Sequence, residues 1–260
     1  MKIFSNLLIA LTLFTSPALA AEAGKPAKQP AKAVKKGTLK PNAAAKPAVP
    51  QKNIPGTAGS EEKELETRAV SGLKDWDAKL QTLRTRFTQE VDFSDAGIKQ
   101  HIEGILSYIK PDLLKIEHIK PARQLVYTDK KELWVYKPED SQAVRTSWDA
   151  WKTNQSSNFS GIMDLGNYAG LTARNNLRVS KNKAAPYHIK MIFTPKNDPG
   201  LYTLELALSS TDYFPAEAAL TVDKTTIKTV LESPERNITL DKALFRFVPP
   251  KGTEVLEFKN

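Results

Sequence analysis

The residue types that most often carry catalysis or bind metals are few and scattered in this chain. Three histidines, His101, His118 and His188, fall in predicted strands, far apart in the sequence. None has a second histidine or a cysteine two or four positions away, and a zinc site needs such spacing or a cluster of ligands. We therefore predict that each histidine is an ordinary strand residue and that the protein uses no metal or other cofactor.

The remaining candidate residues do not form an active-site pattern either. The sequence contains no cysteine and no GxSxG, GxxxxGK[ST] or GxGxxG motif. The adjacent carboxylates Glu61-Glu62 and Glu139-Asp140 lie in polar segments, where a helix start and a solvated turn explain them better than an acid/base pair does. These observations predict that the protein is not an enzyme.

Residues 1–20 have the pattern of a cleavable export signal. Lys2 precedes an apolar run from Ile3 to Phe14, and Ala18-Leu19-Ala20 is a small-x-small cleavage site. We expect cleavage near Ala20/Ala21 and an exported, soluble mature protein. Because the chain has no cysteine, it has no disulfide bond and no acceptor for a thioether-linked lipid anchor.

The formal net charge of +9 is concentrated ahead of the predicted folded domain. The first 59 residues hold nine lysines and one glutamate, which leaves a net charge of +1 for residues 60–260 and argues against binding to nucleic acid. Residues 21–59 are rich in Ala, Lys and Pro and are predicted to be a disordered linker. A solvated spacer and an electrostatic contact with an anionic envelope surface are both compatible with that composition.

A helical period follows the linker. Apolar residues recur at spacings of three and four, which is the period of one helix face, at Leu65, Ala69, Leu73, Trp76, Leu80, Leu83 and Phe87. Ser60 is the predicted N-cap. The apolar stripe of this helix needs a surface on which to pack.

From residue 101 onward the period changes to two, which is typical of strands. Five strands are predicted between residues 101 and 148, with Pro111 and Pro121 between the first three. One or two short helices are predicted within residues 156–179. A second series of strands is predicted at 187–194, 202–208, 216–222, 225–232, 237–240 and 244–247. Short connections favour antiparallel neighbours, so we predict one strongly curved antiparallel sheet with helices against one face.

A curved sheet with a helical cover encloses an apolar interior. If the cover is loose, the interior becomes a cavity for apolar ligands, whereas a tight cover gives an ordinary packed core. Burial of ten acyl methylenes would contribute about 8 kcal/mol before ordering costs. The residue pattern alone is compatible with both alternatives.

Several short motifs, taken in order, resemble the LolA family of periplasmic carriers of outer-membrane lipoproteins. They are Leu83 with Phe87-Thr88-Gln89, Gly104, Lys110-Pro111, Leu114-Lys115-Ile116, Lys120-Pro121, Asp129, Leu133-Trp134-Val135-Tyr136, Phe193-Thr194-Pro195-Lys196, Asp223 and Phe245-Arg246-Phe247-Val248-Pro249-Pro250-Lys251-Gly252. The resemblance covers about Trp76 to Glu257. It implies that residues 60–260 are an incomplete, mostly antiparallel barrel (mostly β, α+β) with a helical lid over an apolar cavity.

The same resemblance implies a function in the periplasm. The cavity would take the acyl chains of a lipoprotein released by an inner-membrane transporter, and the carrier, a monomer, would pass its cargo to an outer-membrane receptor. The strand parity and the resemblance together predict that the cavity is lined by Leu114, Ile116, Val126, Met191, Phe193, Leu204 and Leu206. An alternative of another class is a lipoprotein sensor of the same fold that acts on an inner-membrane partner.

Two positions depart from the family pattern. Lys110 stands where the family often has Arg, and it is the predicted polar group on the lid side. A single ammonium cannot reproduce the planar fork of a guanidinium, so closure of the lid is expected to differ here, although a solvated Lys at a strand end is an equal alternative. Ile116 stands where the family favours an aromatic residue, so a less aromatic cavity wall is expected.

Overall fold

The described residues form one large sheet with helices against one of its faces. The computed structural model describes residues 58–154, 168–181 and 188–258. The predicted export signal and nearly all of the predicted linker lie outside these ranges. The helices are α1 (Ala58–Lys79), α2 (Trp148–Asn154) and α3 (Tyr168–Arg174), and a 3-10 helix spans Lys242–Phe245.

Twelve described strands build the sheet. They are β1 (Thr82–Phe93), β2 (Ile98–Ile109), β3 (Leu113–Lys120), β4 (Gln124–Thr128), β5 (Glu132–Lys137), β6 (Gln142–Ser147), β7 (Asn175–Lys181), β8 (Ile189–Pro195), β9 (Thr203–Leu208), β10 (Pro215–Val222), β11 (Thr225–Arg236) and β12 (Glu254–Phe258).

The order of the strands joins two antiparallel meanders through β1. The sheet runs β12-β6-β5-β4-β3-β2-β1-β11-β10-β9-β8-β7, and β1 pairs antiparallel with both β2 and β11. Among the described strands, the β12–β6 pair is parallel and the others are antiparallel. The sheet is curled but open, with β12 and β7 at its edges. The predicted curved antiparallel sheet is thus confirmed.

The first helix ends earlier in the sequence than its apolar period predicted. Helix α1 begins at Ala58, so Ser60 lies inside the helix and is not its N-cap. The helix ends at Lys79, and Leu83 and Phe87 belong to β1, which the sequence analysis missed. A spacing of four residues fits both a helix face and one face of a strand, and here the strand forms because β1 pairs with β2 and β11 along its length.

The five strands predicted between residues 101 and 148 are present as β2 to β6. Buried and less buried residues alternate in β3 and β5 but not in β6, where Ala143 is the one buried residue. Paired residues form continuous apolar rows across the sheet, such as Leu106, Ile116, Val126, Val135 and Val144. We call the face that carries this row the inner face. Its residues pack into one cluster with α1, α2 and α3, so the helical layer covers the inner face.

The predictions after residue 154 hold only in part. Residues 168–174 form helix α3, as expected of a short helix, but 175–179 belong to strand β7. Residues 155–167 lie outside the described ranges. The strands predicted at 187–194, 202–208, 216–222 and 225–232 correspond to β8, β9, β10 and β11.

The two strand predictions nearest the C-terminus are wrong. Residues 237–240 form no strand, because Asn237 Oδ1 accepts the backbone N–H of Gln81 at 2.7 Å and Thr82 Oγ1 donates to Ile238 O at 2.6 Å. The 244–247 segment contains the end of the 3-10 helix. Strand β12, which follows it, was not predicted.

The C-terminal segment covers the other, outer face of the sheet. The Phe247 ring lies 5.2 Å from Tyr127, 5.3 Å from Trp134 and 5.2 Å from Tyr136, measured between ring centroids. On the same face the Lys115 ammonium lies 5.6 Å from the centroid of the Tyr127 ring. The two faces therefore have different covers, helices inside and an aromatic cluster outside.

Gly104 allows Phe87 to cross the middle of the inner face. A Cβ at residue 104 would lie 2.4 Å from Phe87 Cζ and 2.5 Å from Glu117 O. We expect Gly104→Ala to reduce the free energy of unfolding by about 1–3 kcal/mol, because the added methyl group overpacks the core. Urea unfolding measures the loss. The control is Gly200→Ala, since a Cβ there meets its nearest atom at an ordinary 3.5 Å. Equal midpoints for both variants would contradict the prediction.

The outer aromatic cluster generates a second prediction. Phe247→Ala removes a ring that stacks on Tyr127 and makes tilted contacts with Trp134 and Tyr136. We expect a loss of about 3 kcal/mol in the free energy of unfolding. Val248→Ala is the matched control because Val248 is 79% exposed, and it should change stability by less than about 0.5 kcal/mol. A Phe247 variant as stable as the Val248 variant would show that the C-terminal segment does not hold this face.

Candidate functional site

The interior between the inner face and the helices is the largest apolar region of the described structure. All seven residues predicted to line a cavity lie on the inner face and are between 0 and 8% exposed. They form two groups, since Leu114, Ile116 and Val126 lie on β3 and β4, whereas Met191, Phe193, Leu204 and Leu206 lie on β8 and β9. Curvature of the sheet brings both groups into the same apolar cluster.

The helices supply the opposite wall of this interior. Helix α1 contributes Leu73 and Trp76, α2 contributes Trp148 and Trp151, and α3 contributes Leu171. The two tryptophan rings of α2 stack with their centroids 4.8 Å apart. Trp148 and Trp151 were not predicted to lie in the interior, although two tryptophans three residues apart directly after a strand are a usable signal for a buried helix face.

The interior is closed in this conformation. Leu73, Ile116 and Phe193 are each at most 1% exposed. The Trp76 ring meets Phe214 edge-on at 5.3 Å. Among the described residues, packed side chains occupy the space between the helices and the sheet, so entry of an apolar ligand there requires the helices to move away from the sheet.

Lys110 connects the end of β2 to the last turn of α1. Its Nζ donates a hydrogen bond to the backbone oxygen of Asp77 at 2.7 Å and lies 3.7 Å from Asp77 Oδ2. Burial raises the pKa of Asp77 above its ordinary value, against the opposing charge of Lys110. The sequence predicts a polar role for Lys110 but not for Asp77, because a polar residue in a helix gives no sign of its partner. We call this contact the Lys110–Asp77 latch.

A second contact holds the same half of α1. The Tyr213 ring lies against the helix at Gly72, where a Cβ would be 2.2 Å from Tyr213 Cγ. Next to it, the guanidinium of Arg236 forms an ion pair with Asp212 and lies 5.3 Å from the centroid of the Phe214 ring. The turn between β9 and β10 thus fixes the position of α1 through side chains of residues 212–214.

The two short helices are fixed by polar contacts at their ends. Ser147 Oγ accepts the backbone N–H of Ala150 at 3.0 Å, which caps the start of α2. At the end of α3, Asn175 Nδ2 donates to Leu171 O at 2.9 Å, and the Tyr202 hydroxyl donates to Asn175 Oδ1 at 2.7 Å. Each of the two helices is therefore held by a polar contact at one end.

Polar side chains also lie on the inner face. Strand parity predicts this position for His118, which alternates with Leu114 and Ile116, but not for Gln89, which falls at the end of the predicted helix. Gln89 donates through Nε2 to Thr229 Oγ1 at 2.8 Å, and both residues are buried. His118 is only 3% exposed, and burial lowers its pKa to about 4, so its imidazole is neutral at pH 7. Within the described ranges, no group of three or more His, Asp or Glu residues is arranged to hold a metal ion.

His101 and His118 lie in strands β2 and β3 as predicted, but His188 precedes β8. None of the helices in the described ranges is long and apolar enough to cross a membrane. The arrangement offers an apolar interior, a closing helical layer and a neutral polar patch.

Comparison with known proteins agrees with this architecture. The model of the family described as outer membrane lipoprotein carrier protein LolA matches residues 78–248. An outer-membrane lipoprotein carrier protein from Dechloromonas aromatica is 29% identical over 190 residues, which cover 72% of this chain and 87% of the relative. The corresponding protein from Serratia proteamaculans is 26% identical over 185 residues, which cover 71% of this chain and 85% of the relative.

Among solved structures, a LolA superfamily protein from Nitrosomonas europaea superposes with a TM-score of 0.39 at 12% identity, covering 69% of this chain and 97% of that one. The family match extends from the end of α1 through the sheet to the segment that covers its outer face, and so spans most of the described structure. The chain therefore belongs to the LolA family of outer membrane lipoprotein carrier proteins.

Proposed function

We propose that this protein carries the acyl chains of lipoproteins through the periplasm from the inner to the outer membrane. The observation that supports this most directly is the shared interior. The seven residues predicted to contact acyl chains all face one apolar cluster between the curled sheet and the helices. We propose no catalytic step, since apolar burial alone is sufficient for binding and release.

Loading requires an exchange of apolar contacts. Separation of the helices from the sheet exposes Trp76, Trp148 and Trp151, and an inserted acyl chain covers them again. Each buried methylene contributes about 0.8 kcal/mol, so a chain of ten or more methylenes offsets a substantial loss of packing. The closed conformation described above is then the empty carrier, and the loaded carrier is an opened form.

The proposed route has two membrane partners. An inner-membrane transporter releases the lipoprotein to the carrier, and an outer-membrane receptor takes it from there. The carrier works as a monomer after removal of residues 1–20. The names of the relatives as outer-membrane lipoprotein carriers support this direction of transport.

The Lys110–Asp77 latch is proposed to favour the closed form. The ammonium reaches one backbone oxygen and a carboxylate whose pKa is raised by burial. A guanidinium could donate to several acceptors at once, so the Lys in this chain makes a weaker latch than Arg would. Ile116, in place of an aromatic residue, leaves that part of the wall aliphatic.

The positions of the tryptophans generate a test of acyl binding. Trp76, Trp148 and Trp151 belong to the interior, whereas Trp134 lies against Phe247 on the outer face. We expect a brominated fatty acid to quench part of the tryptophan fluorescence, because bromine quenches rings that it contacts. The quenched fraction of the tryptophan fluorescence should be larger in the Trp134→Phe variant, because this substitution removes a ring that the bromine does not contact. It should be smaller in the Trp76→Phe variant, which loses a ring that the bromine contacts. Absence of quenching, or its loss in Trp134→Phe, would contradict binding in the interior.

The latch generates a second test. Lys110→Met should raise the apparent affinity for a fluorescent fatty acid several-fold, because the empty closed form that competes with binding is destabilised. The same variant should lose about 1–3 kcal/mol in the free energy of unfolding without ligand. Lys110→Arg should bind more weakly than Lys110→Met.

Lys224→Met is the control for this test. Lys224 pairs with Asp95 at 2.6 Å, but its side chain is 68% exposed and is not part of the latch. Its removal should change neither affinity nor stability appreciably. A Lys110→Met protein that is destabilised but binds the fatty acid with unchanged affinity would show that the latch does not control opening.

A further inference from the structure

The inner face changes from apolar to polar toward the end where β2 begins and β3 ends. Leu106, Ile116 and Val126 are register partners across β2, β3 and β4. The next inward row, two residues further along each strand, pairs Gly104 with His118 and His118 with Gln124. Two residues of strand correspond to about 7 Å, so the polar row directly adjoins the apolar one.

A pocket of about 540 Å³ opens at this polar end. Its walls include Gln100, Ile102, His118, Gln124 and Lys137 together with charged residues of the neighbouring turns. The Lys110–Asp77 latch is at the other end of β2, which spans 12 residues. The pocket and the latch are thus separated by the length of that strand.

Three polar atoms in the pocket walls have no partner in the described part of the chain. They are Gln100 Oε1, His118 Nε2 and Gln124 Nε2, and all three are shielded from bulk solvent. His118 and Gln124 are 3% and 6% exposed. Buried polar groups are normally hydrogen-bonded, so this cluster has the properties of a site that a polar ligand completes.

The charges at the pocket argue for an uncharged ligand group. Three of the four Lys and Arg side chains that line the pocket are paired, Lys99 with Asp92 at 3.0 Å, Lys120 with Glu103 at 3.0 Å and Arg123 with Glu117 at 2.9 Å. The fourth, Lys137, shares the rim with the carboxylates of Glu139 and Asp140. The His118 imidazole is neutral because burial lowers its pKa. In the described part of the chain, the buried unpaired groups of the pocket are therefore two neutral N–H donors and one amide oxygen.

We propose that this pocket binds the ester and amide linkages of an acylated cargo, with Gln124 Nε2 and His118 Nε2 donating to ester carbonyl oxygens and Gln100 Oε1 accepting an amide N–H. The proposal rests on the carrier function proposed above. Here His118 carries its proton on Nε2, and small side-chain rotations present these atoms to the pocket.

The pocket adjoins the apolar interior, so one ligand can occupy both. Ile102 lines the pocket and belongs to the apolar cluster, and the His118 ring meets Phe87 edge-on at 6.0 Å. An acyl chain that starts at linkages bound by His118 and Gln124 extends along the inner face toward Ile116. The polypeptide part of the cargo then leaves the carrier at this end and not at the latch.

The test compares three ligands with equal acyl chains, namely a synthetic diacylated lipopeptide, an ester-linked lysophospholipid and a free fatty acid. Gln124→Leu and His118→Leu should each weaken lipopeptide binding about five- to tenfold, since each removes one hydrogen bond. Binding of the free fatty acid, which has no ester, should change less than about twofold. His188→Leu is the control, because His188 is exposed and outside the pocket.

The lysophospholipid distinguishes recognition of an ester in any lipid from recognition of the ester in a lipopeptide. If both ester-bearing ligands are weakened by His118→Leu and Gln124→Leu, the site recognises the ester itself. Gln100→Leu should weaken only the lipopeptide, because the amide N–H is absent from the lysophospholipid. Unchanged lipopeptide binding in all three variants, with fatty acid still bound, would overturn this inference while the carrier function stands. Failure of the unaltered protein to bind any of the three ligands would overturn the carrier function itself.

NMR spectroscopy of the unaltered protein tests the same inference without any variant that could fail to fold. The imidazole ¹⁵N signals of His118 report hydrogen bonding at its ring nitrogens. They should shift on addition of the lipopeptide and remain in place on addition of the fatty acid. Signals that stay unchanged while the lipopeptide is bound would overturn the proposed contact with His118.

Discussion

The architecture depends on the need to cover one apolar face of an open sheet. Twelve described strands curl without closing, since β12 and β7 remain edges. The inner face carries continuous apolar rows from β2 to β6 and from β8 to β11, and exposure of that much apolar surface to water is unfavourable. The helices must therefore lie on it. A cover that is held mainly by apolar contacts can be replaced by another apolar group, which is the physical basis of the proposed carrier function.

The contacts that position the cover are unevenly distributed. Helix α1 is held near its end by the Lys110–Asp77 latch and by Tyr213 against Gly72. The short helices α2 and α3 are attached through Ser147 and Asn175 at single ends. Because α1 has the longer apolar stripe and two separate side-chain contacts, it forms the more firmly held part of the helical layer.

Much of the sheet could be predicted from the sequence because most strands alternate cleanly. Ile189, Met191 and Phe193 face inward at every second position, and one buried face fixes their register. Strand β1 was not predicted, and the reason is physical. Its inward positions include Thr85 and Gln89, which are polar but buried. The inward apolar residues Leu83, Phe87 and Val91 are therefore four positions apart, a spacing that also fits a helix. Strand β12 is exposed along most of its length and is specified by pairing with β6, which no local pattern reveals.

The candidate site was predictable in its apolar part and not in its polar part. Strand parity placed Ile116 and Phe193 on the inner face, where both are buried. The partners of Lys110 and His118 depend on contacts between distant segments, and no sequence spacing indicates them. The central claim is that acyl chains bind between the inner face and the helices. A diazirine at mid-chain of a bound fatty acid, photoactivated and mapped by peptide mass spectrometry, tests it directly. The account predicts crosslinks to Trp76, Ile116 and Phe193, whereas crosslinks confined to the outer residues Tyr127, Trp134 and Phe247 would contradict it.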